Sequence, residues 1–146
     1  MPKPARLPAG RQLARAAKSV SRAFDDALAE AGGSLPVWLV LLSLKSRPLR
    51  NQRELADAVG IKQATLTHHL NAMDARGLVT RRRDPANRRV HVVELTEAGE
   101  AAFLRLRDAA LGFDERLRRG FTDRDLSDLE GLLGRLERNV AGTDPG

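Results

Sequence analysis

Apolar residues recur at helical spacing along most of the 146-residue chain, interrupted by one stretch that reads as paired strands. From Arg11 to Ala31, the residues Leu13, Ala17, Val20, Phe24, Ala27 and Leu28 share one face, which predicts an amphipathic helix. Gly32-Gly33 stops it. Ser34 stands where a helix cap is wanted, with Pro36 in the first turn of the next helix. Val37–Leu44 is then apolar on nearly every side, so this helix should lie deep in a core. Trp38, the only tryptophan, belongs to that run and reads as a core residue rather than a stacking platform. Arg47-Pro48-Leu49 is a short link with room for a brief strand that meets the strands further on.

The stretch Asn51–Thr96 changes the picture. A short helix over Gln52–Val59 carries Leu55 and Val59 four apart with Ala56 beside them, and Gly60 offers the left-handed conformation that ends helices. A second helix over about Lys62–Arg76 carries Leu66, Leu70 and Met73 at i, i+4 and i+7, and Gly77 ends it. That spacing leaves Gln63, Ala64, Thr65, Thr67, His68 and Asn71 on or near the outward face. These side chains are small or hydrogen-bonding, as a helix reading base edges in a major groove requires. Leu78–Arg83 then reads as a strand with a basic end, which includes Arg81 and Arg83. Asp84-Pro85-Ala86-Asn87-Arg88-Arg89 is a turn by composition. The return strand Val90–Leu95 alternates too loosely to say which face is buried. A helix-turn-helix followed by a basic-tipped two-stranded hairpin is a winged helix.

Beyond it, Thr96 is placed to cap a long helix through about Arg119 that carries Phe103, Leu104, Ala110, Leu111 and Leu117, with Gly112 as a weak point for a bend. Thr122-Asp123-Arg124-Asp125 resembles a capping box, with Asp in place of Glu or Gln. Leu126, Leu129, Leu132, Leu133, Leu136 and Val140 line the last helix. The expected fold is mainly α with a small β-wing (an α+β winged helix) in a single domain spanning 1–146. Within it, about 34–96 is the winged helix, while about 11–31 and 97–140 are helices whose leucine-rich stripes have no second sheet or domain to cover them. Packing two subunits together would cover them, so a homodimer is expected.

Composition sharpens this reading. Hydrophobic residues make up 42% and charged residues 30%, as in a globular protein. The net charge of +6 is unevenly placed. From Lys45 to Val93 there are eleven Lys or Arg against four Asp or Glu, a net of +7, while the rest of the chain carries fourteen against fifteen. A basic patch confined to the winged helix implies a polyanion partner. The absence of cysteine excludes disulfides and thiolate metal sites. Met1–Gly10 holds three prolines and reads as a loose arm carrying Lys3 and Arg6, without the apolar stretch of a signal peptide. The longest apolar run, Val37–Leu42, is too short to span a bilayer, so no membrane association and a cytoplasmic location are expected. His68 and His69 diverge by about 100° on a helix and His91 lies on the wing, so no metal site is expected from them. No catalytic constellation, phosphate loop or cofactor motif stands out, and an enzyme is not expected.

Three segments, RELADAVGI, TLTHHLNAMDARGLV and the run Asn87-x-Arg89-x3-Val93-x-Leu95-Thr96-x2-Gly99, resemble the MarR family of bacterial transcription regulators. The resemblance extends over nearly the whole chain. It implies a homodimeric regulator, a repressor or an activator, that binds a double-stranded DNA operator and is often released by a small-molecule effector. Lys62, Gln63, Ala64, Thr65, Thr67, His68, Asn71, Arg81, Arg83, Asn87, Arg88 and Arg89 are the expected DNA-binding residues. Arg89 matches the family's minor-groove arginine, which an Asp two residues earlier holds in place. Here that position is Asn87. His68 likewise stands where Arg is common, and Lys62 where a helix cap would favour Ser, Thr, Asp or Asn. The resemblance also places an effector pocket between the winged helix and the dimer helices, lined by residues such as Phe24 and Trp38. A non-specific architectural DNA- or RNA-binding protein is the competing reading, and the scarcity of aromatics in the basic stretch speaks against stacking on single strands.

Overall fold

The computed structural model describes residues 5–48 and 50–142, so Lys3, Leu49 and the C-terminal Thr143–Gly146 lie outside the described residues. In chain order the elements are α1 (Ala9–Glu30), α2 (Leu35–Ser46), β1 (Arg50–Asn51), α3 (Gln52–Val59), α4 (Gln63–Ala75), β2 (Val79–Arg83), β3 (His91–Leu95), α5 (Glu97–Leu117) and α6 (Asp123–Val140). The chain divides into two compact units, Met1–Leu111 and Gly112–Gly146, and α5 runs across the boundary without a break at Gly112.

The core of the first unit is built on α2. Val40, Leu41 and Leu44 pack with Leu28 of α1, Leu55 of α3, Leu66, Leu70 and Met73 of α4, Val79 and Val93 of the sheet, and Leu106 of α5, all essentially inaccessible. Each such side chain contributes about 1.5–3 kcal/mol relative to leaving it in water. The Ser34 hydroxyl accepts from the Val37 N–H at 3.4 Å, and Pro36 sits in the first turn, as the sequence predicts. Apolarity on every side does not mean burial on every side, however. Leu35 and Leu42 remain 36% and 40% exposed, so one flank of α2 is open.

α1 starts at Ala9, two residues before the expected Arg11, because the Pro8 carbonyl accepts from both Arg11 and Gln12. Its apolar stripe is buried only at Leu28, and Leu13 is 40% exposed. α3 and α4 form a helix-turn-helix. Asn51 caps α3, its Oδ1 accepting from the Glu54 N–H at 2.8 Å while its Nδ2 donates to the Glu54 carboxylate at 2.7 Å. Gly60 takes φ of 80°, the left-handed geometry the turn needs.

The wing is larger than the two-stranded hairpin read from sequence. β1 pairs antiparallel with β3 (Arg50 opposite Val93, Asn51 opposite Val92), giving a three-stranded sheet in the order β1-β3-β2. The brief strand expected in the Arg47–Leu49 link thus falls just beyond it. As the central strand, β3 buries the consecutive residues Val92 and Val93, which accounts for its loose alternation.

In the second unit, Thr122 and Asp125 complete the capping box of α6. Thr122 Oγ1 accepts from the Asp125 N–H at 3.1 Å, and Asp125 returns a carboxylate oxygen to the Thr122 N–H at 2.9 Å. No residue of α6 is buried. Leu129, Leu132, Leu136 and Val140 stand 38–83% exposed along it.

Candidate nucleic-acid interface

Burial of Leu66, Leu70 and Met73 sets the rotation of α4 and turns Gln63, Ala64, Thr65, His68 and Asn71 outward, all exposed. Lys62 occupies the N-cap with extended backbone and makes no side-chain cap, so the first N–H groups of α4 are left for an outside partner. Thr67 is the exception on this face. Half-buried, its hydroxyl donates to the Gln63 carbonyl at 2.9 Å and accepts from Gln52 Nε2 at 3.3 Å, which ties α4 to α3. The His68 and His69 rings stand edge to face with centroids 5.6 Å apart.

The wing tip is held by its own hydrogen bonds. Asp84 Oδ1 accepts from the Ala86 N–H at 2.9 Å, and Asn87 Oδ1 accepts from the Arg89 N–H at 3.2 Å. Asn87 therefore holds the backbone of Arg89 and not its guanidinium. Arg83, Arg88 and Arg89 are exposed, and their guanidinium groups have no ion-pair or hydrogen-bond partner among the described residues. Arg81 differs from them. Its side chain is 24% exposed and turned onto α4, pairing with Asp74 at 3.0 Å and donating to Asn71 Oδ1 at 2.8 Å. Arg82 is likewise engaged, by Glu94 at 2.6 Å.

Between the wing and the N-terminal ends of α3 and α4 lies a cleft of about 350 Å³ lined by Asn51, Gln52, Arg53, Gln63, Arg89, Val90 and His91. Of these, only Gln63 and Arg89 belong to the set expected from the sequence, while Asn51, Gln52, Arg53, Val90 and His91 do not. Their signal lies in the β1–β3 pairing, which carries the start of α3 up against the wing.

Phe24 packs against the core, and Trp38 is 8% exposed and stacked on Phe103 with centroids 5.6 Å apart. Lys45 covers the same Phe103 ring at 5.7 Å while pairing with Glu100 at 2.6 Å. Neither the wing cleft nor the smaller cavity of about 170 Å³ beside Leu44, Lys45, Pro48, Glu94, Leu95 and Glu100 is lined by Phe24 or Trp38. Among the described residues no three His, Asp or Glu side chains gather as a metal site requires, and no single helix is long and apolar enough to cross a membrane.

Residues 34–91 match the family model described as the MarR family. Among solved structures, the chain is similar to the transcriptional repressor CouR bound to a 23-mer DNA duplex. The identity is 31%, with 88% of this chain and 92% of that chain covered, at a TM-score of 0.78. The PcaV transcriptional regulator from Streptomyces coelicolor shares the fold at a TM-score of 0.83 and 21% identity, with 93% and 99% covered. A mutant MarR from E. coli complexed with operator DNA does so at 0.77 and 22%, with 89% and 94% covered. With a family model over residues 34–91 and 31% identity to CouR along most of both chains, the chain belongs to the MarR family of transcription regulators.

Proposed function

We propose that the protein is a homodimeric transcriptional repressor that binds a pseudo-palindromic double-stranded operator. The observation that carries this reading is the pairing of an outward α4 face, rich in uncommitted hydrogen-bonding groups, with unpartnered arginines on the wing. The α4 side chains suit base edges in a major groove, and the Arg89 guanidinium suits the negative potential of an adjacent minor groove. Arg53 and the open N-terminus of α4 carry the charge and donors that phosphates accept, which supports the same reading. CouR, a repressor bound to duplex DNA, supports the same assignment.

The dimer rests on the exposed leucines of α1, α5 and α6, which a second copy would cover. Two-fold symmetry then places two α4 helices about one helical turn of DNA apart. Release by a small ligand fits the family, and PcaV has been crystallised with its natural ligand. The site of action is the cytoplasm, where the operator lies.

Binding of a palindromic duplex, a random duplex and a single strand, compared at one salt concentration, tests the proposal. Preference for the palindrome over the random duplex by about 10³-fold or more is expected. Equal affinity for the two duplexes would favour an architectural DNA-binding protein, and preference for the single strand would favour RNA binding.

A further inference from the structure

The Arg81 guanidinium is shared between two residues one turn apart on α4. Nε and Nη2 converge on Asp74 Oδ2 at 3.2 and 3.0 Å, and Nη1 donates to Asn71 Oδ1 at 2.8 Å. An arginine has donors only, so the amide of Asn71 must turn its oxygen toward Arg81 and its NH₂ away. That NH₂ group finds no partner among the described residues, and Asn71 is exposed on the face of α4 that carries Gln63 and His68. The Asp74 carboxylate meanwhile offsets the charge of Arg81, which makes it a poor phosphate ligand despite its place at the base of a basic strand.

We propose that Arg81 is a positioning residue that fixes the amide of Asn71 as a hydrogen-bond donor toward DNA, so that the base pair under Asn71 is read through acceptor groups. This rests on the DNA-binding reading above and specifies one of its contacts. Bidentate recognition of adenine by an asparagine uses the amide oxygen and nitrogen together. Here the oxygen is engaged by Arg81. Guanine, whose N7 and O6 are both acceptors, and thymine, which presents O4, are then favoured over adenine, whose N7 acceptor stands beside the N6 amino donor. The geometry is specific to a forked guanidinium, because a lysine ammonium would reach one of the two partners as a point charge without holding both in plane.

The test begins with selection of duplexes from a random library by the full-length protein. Asn71→Ala then identifies the base pair that Asn71 reads, as the position at which preference is lost. Duplexes carrying each of the four base pairs there are titrated with the parent, Arg81→Lys and Asp74→Ala. The parent should favour guanine or thymine over adenine by roughly 5- to 100-fold, the range for one good base contact. Arg81→Lys should lose most of that preference at this position alone while keeping the parent's salt dependence, since the charge is retained. Asp74→Ala, which removes the anchor without touching Arg81, should relax the same position. A phosphate-binding or merely structural Arg81 would lower affinity for all four duplexes alike. Unchanged or uniformly lowered preference in Arg81→Lys overturns the inference, as does parental preference for adenine or an Asn71→Ala variant that alters no position. If the parent enriches no sequence at all, the DNA-reading assignment itself fails.

Discussion

Gly99, in the first turn of α5, lies against the carbonyl of Leu78, where an added Cβ would collide with the oxygen. The approach is enforced from both sides. The Leu78 oxygen accepts from the Thr96 N–H at 3.1 Å, and the Thr96 hydroxyl donates to the Gly77 carbonyl at 2.5 Å while accepting from the Gly99 N–H at 3.0 Å. The start of α5 is thereby clamped onto the junction between α4 and β2.

Gly99→Ala is expected to destabilise the protein by about 1–3 kcal/mol or more, because the opposing atom is backbone and cannot turn aside. Urea unfolding should show a lower midpoint with an unchanged slope. A midpoint equal to the parent's would mean that α5 can slide on this junction.

Arg89→Ala should weaken operator binding by roughly 1–3 kcal/mol and reduce the slope of log K against log salt by about one unit, from lost groove contact and released counterions. Titration of one operator at several salt concentrations reads both quantities. Replacement of flanking A/T pairs by G/C should cost the parent more than the variant, since a narrow A/T groove has the deeper potential. Binding equal to the parent's at every salt concentration would remove the wing tip from the interface.

Asn87→Asp is expected to change affinity little. The carboxylate keeps the acceptor that holds the Arg89 N–H at 3.2 Å, and better aiming of the guanidinium opposes added repulsion from phosphate. Asn87→Ala, which loses the acceptor, should cost more than Asn87→Asp in the same titration. The reverse order would show that charge at the tip outweighs its shape.

Glu in place of both Leu132 and Leu136, which are 54% and 38% exposed on α6, should shift the proposed dimer to a monomer in light scattering and weaken binding to a two-half-site operator. A parent protein that is itself monomeric well above its DNA-binding concentration would contradict the dimer.

Gln63→Ala and His68→Ala should each relax preference at particular base pairs by about 1–3 kcal/mol. Equal losses on operator and random duplexes would assign these two side chains to positioning alone.

Some of this was written locally in the chain. The bounds of α3 follow from Leu55 and Val59 on one face and Gly60 at φ 80°, and the caps at Ser34 and Thr122 stand where the sequence places them. The outward set on α4 follows from the spacing of Leu66, Leu70 and Met73, since a helix keeps its angular period whatever it packs against. Such features depend on neighbours within a turn, so residue type and spacing suffice. What required the fold depends on partners distant in sequence. The sequence left room for a brief third strand, but its place at Arg50–Asn51 and its register against Val92–Val93, which bring Arg53 and Arg89 to one cleft, follow from neither strand's own pattern. Arg81 and Arg83 look alike in a run of three arginines. Two residues apart on β2, they share a face of the strand, and what packs over that face separates them: α4 offers Asp74 and Asn71, seven and ten residues away, to Arg81, while Arg83 at the end of the strand stands exposed. Trp38 could be placed in the apolar pattern, but its stacking partner Phe103, some sixty-five residues further along, is chosen only by the packing of α5.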